Sequence, residues 1–213
     1  MKKTLSIILS ILITAVCCSC TTDNNNSSGG TVSSEISEST ENSDSKITTI
    51  TEDVAINSAK ELILEAEYLY TLYFRCKADT EEYDYNSLAP DENGFRYAAI
   101  KDFNSISAMK EETEKYFTAD YCEKNFYKIA LNGDVPFFKD EDGVLKINVD
   151  AQSAGENTWN LTAIEILSND GTTAKISVPY TDIYDSRKRA EFTLVLCDDG
   201  KVKINEWVLN LAE

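Results

Sequence analysis

The residue types that carry most enzymatic chemistry near neutral pH are conspicuously thinned out in this chain of 213 residues, which contains no histidine. Ser-His-Asp and Cys-His catalysis, His-ligated zinc and any imidazole proton shuttle are thereby excluded. Carboxylates, lysines and tyrosines remain. Paired-carboxylate hydrolysis would need two inward-facing acids about 5–10 Å apart across a cleft, and the 37 acidic residues offer no reason to single out one pair. Cys76, Cys122 and Cys197 are odd in number and form no C-x-x-C pair. They read either as one disulfide plus a thiol or as three buried, inert thiols. The acidic run Lys139-Asp140-Glu141-Asp142-Gly143 invites a calcium reading, but an EF-hand loop with Gly143 at position six puts Phe138 first and Val149 twelfth, where oxygen ligands are required. It reads instead as a solvated hairpin turn, and neither a metal nor a cofactor is expected.

Binding is better provided for than catalysis. Asp150 to Trp159 is a polar, acidic connection that ends on a large aromatic, and Asp182 to Arg189 sets Asp182, Tyr184 and Asp185 beside the basic cluster Arg187-Lys188-Arg189. Both are longer than a hairpin needs, and polar loops on a rigid sheet are a usual place for recognition. Tyr70 and Tyr73 offer the alternative of a ligand pocket lined by aromatics.

Charge restricts the partners. Twenty Lys and Arg against 37 Asp and Glu give a formal charge of −17. Nucleic-acid affinity depends on basic groups displacing counterions from phosphates, so no nucleic acid is expected. An anionic membrane surface would repel the chain, and any attachment there must be lipidic. Hydrophobic content of 42% is enough for a packed core, so the acidity does not signal wholesale disorder.

The first residues read as an address. Lys2 and Lys3 precede the apolar stretch Leu5 to Val16, which is shorter than the ~20 residues of a membrane-spanning helix but suits the h-region of a signal peptide. Ala15-Val16-Cys17-Cys18-Ser19-Cys20 follows and resembles a bacterial lipobox, in which a cysteine is lipidated. Cys20 is the first choice for lipidation and Cys18 the second. Residues 1–19 are therefore expected to be a lipoprotein signal peptide, with the protein held at the outer face of a bacterial membrane. Residues 20–50 are rich in Ser, Thr and Asn and lack apolar periodicity. They read as a flexible tether with an r.m.s. reach of roughly 30 Å.

Residues 51–213 must supply the scaffold that positions the loops. Ala55, Ala59, Leu62, Ala66, Leu69 and Tyr73 recur at steps of three and four, predicting a helix that ends near Cys76, with Thr51 or Ser58 as its cap. A short strand over 95–100 precedes a second helix begun by Ser105 or Ser107. Thr118 caps a third, carrying Cys122, Phe126, Ile129 and Ala130 and stopping at Asn132-Gly133. Beyond it the period becomes two. Strands are predicted over 135–138, 144–149, 159–167, 173–180, 190–197 and 202–209, with Asp142-Gly143, Asp170-Gly171 and Asp199-Gly200 between them. The expected architecture is α+β, three helices packed on a curved antiparallel meander, cystatin-like or NTF2-like in general shape.

One set of segments, taken in order, carries a family resemblance. It comprises Ala66-Glu67-Tyr68-Leu69-Tyr70 with Tyr73-Phe74, Phe95-Arg96-Tyr97 before Asp102-Phe103-Asn104-Ser105, and Lys115-Tyr116-Phe117-Thr118-Ala119-Asp120-Tyr121. It continues with Asp142-Gly143-Val144-Leu145, Gly155-Glu156-Asn157-Thr158-Trp159, Val178-Pro179-Tyr180 and Asp199-Gly200-Lys201-Val202-Lys203-Ile204. This set resembles the IseA-type inhibitors of bacterial cell-wall DL-endopeptidases over about 51–211. The resemblance implies an extracytoplasmic protein that is not an enzyme and blocks NlpC/P60-type cysteine peptidases by placing an acidic loop in the catalytic cleft; the chain is expected to be a monomer. By position, the loop would be Asp150–Trp159, with Asp150 and Glu156 facing the cleft and Asn157 and Trp159 beside them. Asp140, Glu141 and Asp142 would be a second candidate. The alternative is a lipid-anchored cystatin-like or NTF2-like module that binds a small ligand or a wall component.

Overall fold

The computed structural model describes residues 46–211, for the last two of which only the backbone is described. Cys18 and Cys20, the signal peptide and most of the tether lie outside the described residues. Among those described, no helix is long and apolar enough to cross a membrane.

The ordered domain begins earlier than Thr51. Ile50 is buried, its N–H donates to the Gly171 carbonyl at 2.7 Å, and its carbonyl accepts from the Asn169 side-chain amide at 2.9 Å. An isoleucine that enters the core fixes the start of the described chain, a signal hidden by the surrounding Ser and Thr. Helix α1 (Glu52–Arg75) follows, with the Thr51 hydroxyl accepting from Val54 N at 3.2 Å and Glu52 and Asp53 in the first turn, where the helix dipole favours negative charge. Ser58 therefore lies inside the helix. The whole predicted apolar stripe from Ala55 to Tyr73 is buried, and the helix ends with Cys76 in the left-handed region.

Helix α2 (Ile106–Tyr116) is capped by Ser105. Helix α3 (Ala119–Cys122) is capped by Thr118 and runs through a π-helical turn (Glu123–Tyr127) into α4 (Lys128–Ala130). The wide turn shifts the phase of the buried face. Phe126, Tyr127 and Ala130 are buried while Ile129, expected in the core, is half exposed.

The strands form two antiparallel sheets rather than one meander. In the first, β1 (Tyr97–Ala99) and β2 (Phe138–Glu141) flank β3 (Val144–Asn148). The predicted strand over 135–138 moves toward the C-terminus because Pro136 has no N–H to offer a ladder. Asp142 (φ 53°) and Gly143 (φ 77°) both take positive φ, as a two-residue type I′ hairpin demands. In the second sheet β6 (Thr173–Thr181), β7 (Arg187–Leu196) and β8 (Val202–Leu211) lie in order. β4 (Thr158–Trp159) and β5 (Glu165–Asn169) share the other edge of β6. The single strand expected over 159–167 is broken by a turn at Asn160, whose side chain accepts from the Thr162 hydroxyl at 2.7 Å and whose carbonyl accepts from Ala163 N.

Helix α1 packs against β5 and β8. Between them lies an aromatic core in which Tyr73 stacks on Phe126, Phe117 on Trp207 and Phe192 on Trp207. The protein is thus α+β, with helices laid on a curled antiparallel sheet.

Candidate functional site

The connection from Asp150 to Trp159 starts in a short 3-10 turn (Val149–Ala151), crosses the C-terminal end of α1 and finishes in β4. Its first acid, Asp150, is held by donors of the protein itself. Asp150 accepts from the Tyr85 hydroxyl at 2.5 Å and from Arg96 N at 2.7 Å, with the Arg96 guanidinium 3.7 Å away and 4.8 Å above the Tyr85 ring. These donors hold its carboxyl below the usual carboxylate range, the Tyr85 hydroxyl most of all. Asp150 thus clamps the start of the connection to the 3-10 turn at Tyr85–Ser87 and to the residue before β1.

The far end is held by a carboxylate that sequence reasoning passed over. Glu67, on α1, is buried with 7% of its surface exposed. Its Oε1 accepts from Asn157 N at 2.8 Å, and its Oε2 accepts from Asn157 Nδ2 and Trp159 Nε1, each at 3.1 Å. Burial raises its pKa, while the Asn157 and Trp159 donors and the nearby Arg75 charge pull it back. Three donors satisfy one buried carboxylate, and Asn157 and Trp159 are fixed by it. The trace left in the sequence is a glutamate four residues after Ile63, beside Ala66, on the face of α1 that otherwise goes into the core.

Between these two braces the chain rests on the end of α1. Ser153 N donates to the Arg75 carbonyl at 2.9 Å, and Arg75 Nη1 donates to the Ala154 carbonyl at 3.2 Å. Residues 152–156 remain exposed, and Glu156 is ion-paired with Lys77 at the surface. The second sequence candidate for a long loop comes to the same place. Strands β6 and β7 leave only residues 182–186 between them, fewer than expected, because Thr181 and Arg187 still pair. Gly155, at φ 101°, packs on Ile183 of this turn, and a β-carbon there would lie 2.6 Å from Ile183 Cγ2. The two loops, separate in the sequence, form one surface. A groove of about 430 Å³ lies between α1 and the end of the connection, lined by Leu64, Tyr68, Thr71, Asn157 and Trp159.

The other candidates have structural employment. Asp140 accepts from Ile106 N at the start of α2 (3.4 Å), and Glu141 is paired with Lys146 at 2.5 Å and Lys139 at 3.7 Å. Asp142 takes the hairpin corner at φ 53°. The hydrogen bond from Lys146 is the main reason the Glu141 carboxyl lies below its ordinary value. Tyr73 is fully buried and hydrogen-bonded to Thr113 at 3.0 Å, and Tyr70 packs on Phe74 and Trp207, so these rings fill the core. Cys76, Cys122 and Cys197 are free thiols, and burial pushes Cys76 and Cys122 up to about 12. Among the described residues no group of three or more Cys, Asp or Glu is placed to hold a metal ion. Comparisons with protein-family models, with curated proteins and with solved structures found no match to this chain.

Proposed function

We propose that the chain is a non-enzymatic, lipid-anchored extracytoplasmic protein that inhibits NlpC/P60-type peptidoglycan DL-endopeptidases as a monomer of IseA-like arrangement. Lipidation is assigned to Cys20, with Cys18 as second choice. The observation that carries the reading is the bracing of the 150–159 connection. Asp150 is clamped by Tyr85 and Arg96 at one end, Asn157 and Trp159 by Glu67 at the other, and residues 152–156 stand outward between them. A loop ordered before it meets a cleft loses little conformational entropy on entry, which is what an inhibitor that must not be processed requires. Glu156 is the acid left at the surface of that segment, and Asp150 is reassigned from cleft contact to support. The surplus negative charge would steer the protein toward a basic cleft.

The test is peptidoglycan hydrolysis by an NlpC/P60-type endopeptidase with the full chain titrated in. Wild type is expected to inhibit stoichiometrically, and Glu156→Lys to weaken inhibition at least tenfold with unchanged melting. Hydrolysis that continues at full rate with excess wild type across several such enzymes would overturn the proposal.

A further inference from the structure

The braced segment does not stand alone at its end of the molecule. The main-chain N–H groups of Ala154, Gly155 and Glu156 donate to no protein group among the described residues, and all three residues are exposed. Exposed main-chain donors of this kind are available to carbonyl groups of a protein that covers the strap. Against the strap, through the contact of Gly155 with Ile183, sits the β6–β7 turn. That turn is built to be rigid. Asp182 accepts from Tyr184 N and Ser186 N at 2.9 Å each, binds Lys188 Nζ at 2.6 Å, and donates its own N–H to the Ser186 carbonyl at 3.0 Å. Asp185 completes the corner at φ 60°. From this ordered turn Tyr184 projects into solvent with 81% of its surface exposed.

At that exposure the Tyr184 ring buries little apolar surface within the fold. A tyrosine on a fixed turn, by contrast, loses little freedom when a partner covers it and removes a large apolar surface from solvent as it docks. We infer that Tyr184 and residues 153–156 form one two-loop recognition surface for a protein with a cleft that holds an extended peptide. The strap lies along the cleft, and the Tyr184 ring fills an apolar pocket at its rim. This rests on the inhibitor reading and adds to it a second loop and an aromatic anchor.

The experiment uses the full chain against the same endopeptidase, comparing the concentration giving half inhibition for wild type, Tyr184→Ala and Val144→Ala. Val144 is an exposed apolar residue on the hairpin of the other sheet and serves as the control. Because Tyr184 is so exposed, its truncation leaves the melting temperature where it was. The expected result is a rise of at least tenfold for Tyr184→Ala and of less than twofold for Val144→Ala. Inhibition by Tyr184→Ala within twofold of wild type would overturn the two-loop surface while leaving the inhibitor function standing, and an equal loss in Val144→Ala would overturn it as well. Absence of inhibition by wild type would remove the function and this surface together.

Discussion

Glu67 does more than any other side chain to place the candidate site, and its chemistry makes a prediction of definite sign. Its folded-state pKa is raised by burial, whereas an unfolded chain leaves it near the ordinary glutamate value. The folded protein therefore binds the proton more tightly than the unfolded one. This contribution to stability is greatest at acid pH and is lost as pH rises from the ordinary glutamate value through the raised one. Glu67→Gln is expected to flatten that part of the pH–stability curve, measured as urea midpoints across the carboxylate range; a curve identical to wild type would contradict the assignment. Glu67→Ala strands the Asn157 and Trp159 donors and should cost about 2 kcal/mol. Such roles are poorly legible in sequence. The stripe from Ala55 to Tyr73 could be read from spacing because helix periodicity is local. The bonds from Glu67 to Asn157, and from Tyr85 to Asp150, span 90 and 65 residues and leave no local pattern.

At the scale of elements, the caps and corners were the readable part. Thr51, Ser105 and Thr118 each accept a main-chain N–H at a helix start, as short hydroxyl side chains there should. Thr51→Ala is expected to destabilise the protein by about 1 kcal/mol, lowering the denaturant midpoint without changing the slope. The Asp142-Gly143 corner needs positive φ at both positions, so Gly143→Val should be destabilising by about 1 kcal/mol or more, even though a β-carbon there meets nothing within 4 Å. The partition of the strands into two sheets was not readable. Alternation reports which face of a strand is buried, and it is silent on which strand lies beside it. The breaks came from single residues, Pro136 and Asn160, inside stretches that otherwise alternate.

For the molecule as a whole, the geometry separates where the chain enters from where it presents its loops. Lys46 bonds the Asp198 carbonyl at the β7–β8 turn, and Ile50 bonds Gly171 at the β5–β6 turn. From there α1 runs its 24 residues, about 36 Å at 1.5 Å per residue, to Arg75, which supports Ser153 and Ala154. The 152–156 strap and the Tyr184 turn thus stand at the end of the domain away from Lys46 and Ile50. A net charge of −17 adds a kinetic prediction. The association rate with a basic-clefted peptidase should fall several-fold between about 0.01 and 0.15 M salt, as the Debye length shortens from about 30 to about 8 Å. An association rate independent of salt in stopped-flow mixing would remove steering from the account.

The central claim is that this protein closes a peptidase cleft with a braced loop, and protection of the peptidase's catalytic thiol tests it most directly. The rate of alkylation of that thiol by iodoacetamide is followed by mass spectrometry with the full chain absent and then present at one equivalent and in excess. One equivalent is expected to slow alkylation at least tenfold, and Glu156→Lys to restore it. Alkylation at the unprotected rate in the presence of excess wild-type chain would contradict the claim.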